Sequence, residues 1–499
     1  MVAFRNEPDR RRWYALAALA LATVAIGLDS TVLSVALPTL ADDLGATTAD
    51  LQWFTTSYLL VLAAALLPAG MLGDRYGRKR LLLAAMVIFG VASTACALAG
   101  TTGQLIAARA ALGLGSAIIM SLIGATLTVL FDDQERPRAM TVWITANALG
   151  IPLGPLLGGW LLDHFHWGSV FLINLPIVAL GLAAVALLVT ESYGDRGRRF
   201  DIPGIVLSTT GLVVLTYGMI EIGDRGWSDR TALAAVVLGV VALGALIGWQ
   251  RRATAPLIDL ALFRNRSFTG GTLIATIAGF ALFGLLFALP QLFQAVYGAD
   301  AFGTGLRLLP IIGGLMIGAR AGEWLAGRFG PKPVIASGLA LIAGSLAVGA
   351  ATTTADTGYG AIAAWITMTG IGLGCTMPVA MNVTIGTLDT ERGGVGNALI
   401  QSIRQVGSAI GVAVLGMVLN AGYRDGLPAG APDALRDSVS AGVADAGDSV
   451  TLAAVRDAYV HGMNVSLAVA GVVAVAGVVL AMTVLPGRTS RRGLAESVP

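Results

Sequence analysis

Charge is scarce in this chain. Only 12% of its 499 residues are Asp, Glu, Lys or Arg, while 56% are hydrophobic. An average soluble domain is about 25% charged, so the chain lacks the polar surface that water requires. Lysine occurs twice, and Lys79 and Lys332 precede Arg80 and Pro333 rather than a hydroxyl residue. That rules out a Gly-x-x-x-x-Gly-Lys-[Ser/Thr] phosphate loop and with it ATP-driven work within this chain. The two cysteines, Cys96 and Cys375, both fall inside apolar runs, which gives small packing residues and no disulfide framework. Of three histidines, His164 and His166 stand beside Asp163. This is a short ligand-like set, but its place at a helix end reads as interfacial, with no metal or other cofactor implied. No nucleophile is paired with a base, so an enzyme is not expected. A net charge of +2 gives no reason to expect a nucleic-acid partner.

Fourteen apolar stretches are what the chain has instead, from residues 14–37 to residues 465–485, with the sixth at 170–189 and the thirteenth at 398–419. Each is long enough to cross a bilayer, which takes about 20 residues. The first is too long for a signal-peptide core and lacks a small-residue cleavage site, so it is expected to stay as span 1. Lys and Arg cluster in the segments before span 1, after each even-numbered span and beyond span 14, whereas the opposite loops hold only Arg225, Arg230, Arg424, Arg436 and Arg456. Positive loops stay in the cytoplasm, so both termini are expected there. The 30 Arg against two Lys point to a GC-rich bacterial genome and to an inner or plasma membrane. Residues 421–463 read as a long outer loop, rich in Ala, Gly and Asp, with room for a short amphipathic helix.

A repeat is visible within the chain. Span 2 ends in Gly70-Met71-Leu72-Gly73-Asp74-Arg75-Tyr76-Gly77-Arg78-Lys79-Arg80, and span 10 ends in Gly318-Ala319-Arg320-Ala321-Gly322 followed by Gly327-Arg328-Phe329-Gly330-Pro331-Lys332. A small-residue helix end followed by a basic, glycine-broken turn thus occurs twice. This spacing fits two related six-helix halves, residues 1–190 and 268–499, with two inserted linker helices in 191–267. Such parallel repeats place a substrate site at their interface near the midplane.

The segment from Gly70 to Arg80 resembles the loop 2–3 signature of the major facilitator superfamily, with every characteristic position filled. Leu28-Asp29-Ser30-Thr31 through Ala36-Leu37-Pro38 is similar to the span 1 motif of the 14-span drug:proton antiporter branch, with Ser34 where Asn is common. Arg109 through Gly113, Gly115 and Ala117 resembles the span 4 motif, with Leu112 replacing a frequent Gln. Phe171-Leu172-Ile173-Asn174-Leu175-Pro176 and Pro256-Leu257-Ile258-Asp259-Leu260 are further branch-like segments, although Gly168 and Ser169 depart from the usual Arg-Trp. The resemblance implies an all-α polytopic membrane protein of the major facilitator fold, two six-helix bundles plus two inserted helices, acting as a functional monomer. Gly150-x-x-x-Gly154-Pro155-x-x-Gly158-Gly159 in span 5 resembles the antiporter motif and so favours export over nutrient symport.

Ionisable groups inside spans are costly and are functional candidates by default. Asp29 lies roughly 12 Å below the outer end of span 1 and Arg109 roughly 9 Å below that of span 4, at ~1.5 Å per residue, so the two charges are expected at similar depth. Burial raises a carboxylate's pKa and a neighbouring guanidinium lowers it. Asp29 balanced between the two is expected to gain and lose a proton in the cycle, with Arg109 tuning it; the competing reading is a static Asp bonded to hydroxyls such as Thr31. Gly70, Asp74, Arg75, Gly77 and Arg78 read as a conformational latch rather than a binding site, with a carboxylate favoured beside a helix N-terminus. In span 5 the glycines clear one face for close packing and Pro155 bends the helix. Trp53, Tyr58, Trp143, Asn147, Phe283, Phe287 and Gln291 are candidates for an aromatic and polar drug pocket. Arg404 is a candidate for lining the cavity or pairing with an acid. Arg320 and Glu323, one turn apart, read as a local ion pair.

The expectation is a proton-driven exporter of hydrophobic, cationic or amphiphilic drugs and antibiotics, embedded in the lipid bilayer. The alternatives are a dedicated exporter of one antibiotic or metabolite and a proton-coupled nutrient symporter.

Overall fold

The computed structural model describes residues 10–132, 134–194, 200–388 and 393–486. Among them there is no strand, and fourteen helices are long and apolar enough to cross a membrane. The first group is α1 (Arg10–Leu44), α2 (Thr48–Tyr76), α3 (Arg78–Ala97), α4 (Thr102–Leu130), α5 (Arg136–His164), the short α6 (Ser169–Leu172) and α7 (Asn174–Leu188). A hairpin follows, α8 (Ile202–Arg225) and α9 (Arg230–Gln250). The last group is α10 (Arg266–Gln291), α11 (Ala301–Phe329), α12 (Pro331–Thr352), α13 (Tyr359–Ile385), α14 (Gly393–Gly426), the short α15 (Ala434–Asp437) and α16 (Val439–Ala444), and α17 (Ser449–Val484).

Local sequence explains where these helices begin. A capping box joins Thr47 and Asp50 at α2, Thr101 caps α4, and Asp229, Asn265, Asp300 and Asp448 accept backbone hydrogen bonds at the starts of α9, α10, α11 and α17. Each satisfies amide groups that a helix start leaves without partners. The α2–α3 and α11–α12 turns each hinge on a glycine with positive φ, Gly77 at 110° and Gly330 at 91°. The two copies of the sequence repeat therefore bend in the same way.

Packing repeats as well. In the first group α1 lies on α5 and α7, α2 on α4, and α3 on α4 and α7. In the last group α10 lies on α14 and α17, α11 on α13, and α12 on α13 and α17. The groups meet where α2 crosses α14 and where α5 crosses α11, with a lesser contact of α1 on α10. The α8–α9 hairpin stands outside this scheme, and α8 leans on both α2 and α14.

The sixth span runs Ser169–Leu188, as the sequence places it, with a one-residue irregularity at Ile173 between α6 and α7. One expectation from the sequence is corrected. The outer segment 421–463 is largely helical. Gly422 packs on Gly462 and Gly426 on Ala458, so α14 and α17 run on well past the apolar windows that marked their spans. Buried Tyr423 donates a hydrogen bond to the Leu435 carbonyl (2.6 Å), tying the remaining turn and α15 to this pair. Small residues allow backbone packing that hydropathy does not register.

Candidate functional site

Asp29 on α1 and Arg109 on α4 meet in the interior of the first group. Arg109 Nη1 lies 2.9 Å from Asp29 Oδ2, and the two side chains are 1% and 0% exposed. Arg109 Nε donates to the Phe54 carbonyl on α2 (3.1 Å), and its guanidinium lies 4.5 Å from the centre of the Tyr58 ring. The second carboxylate oxygen of Asp29 accepts from Asn174 Nδ2 (3.3 Å), which also donates to Ser93 Oγ (3.1 Å). A buried ion pair survives desolvation only when its remaining hydrogen-bonding capacity is met; here α2 and α7 supply the partners, and α3 holds Asn174 in place through Ser93. Thr31 is not a partner of Asp29; its hydroxyl turns to the Ile151 carbonyl on α5 (3.0 Å). Asn174 had no assigned role in the sequence analysis. It is the first residue of α7 and reaches Asp29 from there; its signals in the sequence are an amide side chain in an apolar run and its place in the branch-like segment Phe171–Pro176, neither of which gives it a role.

A cavity opens beside this pair, lined by Ser30, Ser34, Tyr58, Arg109, Phe283 and Phe287, among others. Its volume is about 10 Å³, room for about one water molecule. Of the pocket candidates, Tyr58, Phe283 and Phe287 are brought together here with Arg109. The others lie elsewhere. Trp143 donates to Thr23 Oγ1 (2.9 Å), Gln291 to the Phe287 carbonyl of its own helix (2.8 Å), Trp53 stacks near Tyr217, and Asn147 backs onto Gly27. Arg404 bonds Gln401 on its own helix through Nε (2.9 Å). Arg320 and Glu323 stand 3.9 Å apart and largely exposed.

The α5 glycines hold two different helices. A Cβ on Gly150 would come within 2.6 Å of the Val24 carbonyl oxygen, one on Gly154 within 2.8 Å of that of Leu28, and one on Gly158 within 2.5 Å of Val32 Cγ2. All three positions face α1, next to Asp29. Gly159 faces the other way, 2.5 Å by the same measure from the Ala301 carbonyl oxygen at the start of α11, and Gly305 approaches the backbone of Pro155 from the α11 side. Four residues beyond Gly159, the carboxylate of Asp163 accepts from the backbone of Ala301 (3.1 Å) and Phe302 (3.0 Å). Asp163 is thus engaged at a helix start. Among the described residues no group of three or more His, Cys, Asp or Glu side chains converges. Other bonds between the groups lie toward the same end, away from the start of α1: Gln294 to the Val35 carbonyl (2.9 Å) and Gln52 to that of Val412 (3.4 Å). Ser402 on α14 bonds the Ala63 carbonyl on α2 (2.6 Å) farther along the chain's crossing.

At the α2–α3 turn, Asp74 binds Arg78 through Nη2 (2.7 Å) and Nε (3.0 Å), and Arg78 Nη1 reaches the Ala125 carbonyl on α4 (3.2 Å). Arg75 lies over Tyr76 and Phe200, and Gly70 and Gly73 face Ser121 and Leu122 on α4. The carboxylate at the N-terminus of α3 is not Asp74. It is Glu191, beyond α7, which accepts from the backbone of Lys79 (2.9 Å) and Arg80 (3.2 Å). The strand of chain around it closes the arrangement, with Arg78 N on the Ser192 carbonyl (2.9 Å) and Gly194 N on that of Asp74 (3.0 Å).

The sequence matches the Major Facilitator Superfamily over residues 19–412. The chain belongs to that superfamily. Its members are transporters rather than enzymes, and this multi-span membrane protein has relatives along nearly its whole length. It is 32% identical over 492 residues to the tetracenomycin C resistance and export protein of Streptomyces glaucescens, covering 95% of this chain and 91% of the relative. It is 34% identical over 424 residues to the multidrug efflux pump LfrA of Mycolicibacterium smegmatis, covering 84% of each. Among solved structures, the major facilitator fold is matched by a bacterial homologue of the human lysosomal transporter Spinster, inward-facing and unoccupied, with a TM-score of 0.69 at 17% identity, 97% of this chain and 100% of that one. A D-xylose–proton symporter matches with a TM-score of 0.65 at 14% identity, covering 95% and 98%.

Proposed function

We propose that this protein is a proton-coupled antiporter that exports hydrophobic drugs or antibiotics across the cytoplasmic membrane of a bacterial cell. It works as a monomer with both termini in the cytoplasm and is built from two six-span halves, residues 1–190 and 268–499, with 191–267 inserted between them. The observation that carries this reading is the buried Asp29–Arg109 pair beside the small cavity lined from α1, α2, α4 and α10. Protonating Asp29 neutralises the carboxylate and leaves the guanidinium to find other partners, so the proton changes the charge and packing of the cavity wall in one step. The α5 glycines pack directly on the α1 segment that carries Asp29 and reach α11 at the far end. A shift of α1 is therefore felt at the contact between the halves. With the termini inside, the far-end bonds of Asp163 and Gln294 close the outer side, and the cycle must break them to release its cargo.

The relatives support export. Their names include resistance to methylenomycin A, methyl viologen and puromycin as well as tetracenomycin C. A dedicated exporter of one antibiotic is the second reading, favoured by the single-compound name of the relative matched over 95% of this chain. The deciding experiment measures efflux of a panel of unrelated fluorescent compounds and antibiotics from cells with wild type or Asp29→Asn, with and without an uncoupler. Uncoupler-sensitive efflux of several compounds, lost in the variant at equal membrane expression, is expected; efflux that survives the uncoupler would refute proton coupling.

A further inference from the structure

Arg404 is a cation within a span that this reading leaves without a task. It lies eleven residues into α14, roughly 16 Å along it at ~1.5 Å per residue, two residues beyond Ser402, which bonds α2 across the contact between the groups. Gly279 on α10 packs against its stem, and α14 is surrounded by α2, α8, α10 and α17, so the side chain points into the bundle and not into lipid. Its only side-chain hydrogen bond is Nε to Gln401 Oε1, and no carboxylate among the described residues pairs with it. Nη1 and Nη2 make no hydrogen bond among the described residues.

An unneutralised guanidinium inside a membrane protein is costly and calls for an anionic partner. Asp29 does not provide one, because it is already matched by Arg109. We infer that Arg404 binds an acidic oxygen of the exported compound, a carboxylate or an ionised phenol or enol. This inference rests on the export reading above and narrows its cargo to hydrophobic acids and zwitterions that carry such an oxygen. Arg404 is then a specificity-determining residue. The planar fork of its Nη groups suits two adjacent acidic oxygens.

Two xanthene dyes of opposite charge, fluorescein (an anion) and rhodamine 6G (a cation), provide the test. Each is titrated by fluorescence anisotropy against purified full-length protein in nanodiscs, as wild type, Arg404→Gln and Arg404→Lys. Wild type is expected to bind fluorescein more tightly than rhodamine 6G. Arg404→Gln should lose fluorescein affinity by on the order of tenfold or more, the scale of a lost charged hydrogen bond, without losing rhodamine 6G, and Arg404→Lys should retain most of it. A monodisperse Arg404→Lys protein keeps the comparison open even where the Gln variant fails to fold. The inference is overturned if wild type does not bind fluorescein, if it prefers rhodamine 6G, or if removing the charge weakens both dyes alike, as a purely structural role would. Uncoupler-sensitive efflux of any compound by wild-type cells leaves the export reading standing in each of these cases.

Discussion

The carboxylate of Glu191 rests against the bare α-carbon of Gly77, where an added Cβ would lie 2.8 Å from the Glu191 carboxyl carbon. One residue opens the space and the other fills it. Glu191 lies more than a hundred residues beyond the turn it caps, so the end of α7 and the start of α3 are fastened together. The α2–α3 signature is thus completed by an acid that its own segment does not contain.

Replacing Gly77 by Ala is expected to destabilise the protein by about 1–3 kcal/mol, from a φ of 110° that L-residues avoid and from displacement of Glu191. Glu191→Gln keeps the shape and removes the charge at the helix start, so a smaller loss is expected, about 0.3–1 kcal/mol. Thermal unfolding in detergent measures both, and equal stability of wild type and Gly77→Ala would refute the contact.

Asp29→Asn leaves Arg109 buried without its counter-ion, a change that costs about 3–5 kcal/mol. The double variant Asp29→Asn/Arg109→Gln removes both charges and is expected to recover much of that stability while remaining unable to couple export to protons. Melting temperatures of the four proteins in the cycle, beside uncoupler-sensitive efflux, separate the two effects.

Gly154→Ala places a methyl group on Thr31 Oγ1 and within 2.8 Å of the Leu28 carbonyl oxygen, whereas Gly158→Ala crowds the Val32 side chain and lies at an ordinary 3.4 Å from the nearest backbone oxygen. Backbone cannot yield as a side chain can. Efflux is therefore expected to fall by on the order of tenfold or more in Gly154→Ala, if about 1.4 kcal/mol or more is lost at the moving contact, and to fall less in Gly158→Ala. Equal effects would show that the packing on α1 is not what matters.

Asp163→Ala removes the acceptor from the first amides of α11 without touching the membrane interior. Hydrogen exchange in residues 299–306 is expected to speed up by about tenfold, the effect of about 1.4 kcal/mol of lost protection. Unchanged exchange there would mean that Asp163 does not hold the two groups together.

Asp201 gives a pH dependence outside the membrane. Burial opposes its ionisation, but hydrogen bonds from Trp249 Nε1, the backbone of Gly204 and Leu257, and Gln250 Nε2 outweigh it and hold the carboxyl below the ordinary range. A group with a depressed folded pKa adds stability above its unfolded value of about 3.9 and loses it as pH falls through the folded value. The melting-temperature gap between wild type and Asp201→Asn should thus be constant near neutrality and narrow below about pH 4. A gap that persists at lower pH would exclude the carboxylate as its cause.

Much of this architecture is legible from composition and pattern. Long apolar runs and alternating basic loops are one-dimensional properties, and the bilayer turns them directly into fourteen helices. The proximity of Asp29 and Arg109 was readable because depth along a helix follows from counting residues. Asn174 and Glu191 were not, because each acts from an end of α7, whose direction no periodicity records. The pocket candidates Trp53, Trp143 and Gln291 show the same limit: an aromatic or amide side chain in a span has a depth but no azimuth until its helix is packed. Helix ends were misjudged at 421–463 because Gly422 and Gly462 join backbones where hydropathy had already fallen.

The α8–α9 hairpin lies against α2 and α14 at once through α8, and Asp201 and Gln250 brace its connections to residues 257 and 258. A splint along one flank makes the molecule lopsided: α2 and α14 share a third body, whereas on the other flank α5 and α11 meet backbone to backbone through Gly159 and Gly305 with no such hairpin among the described residues laid across them.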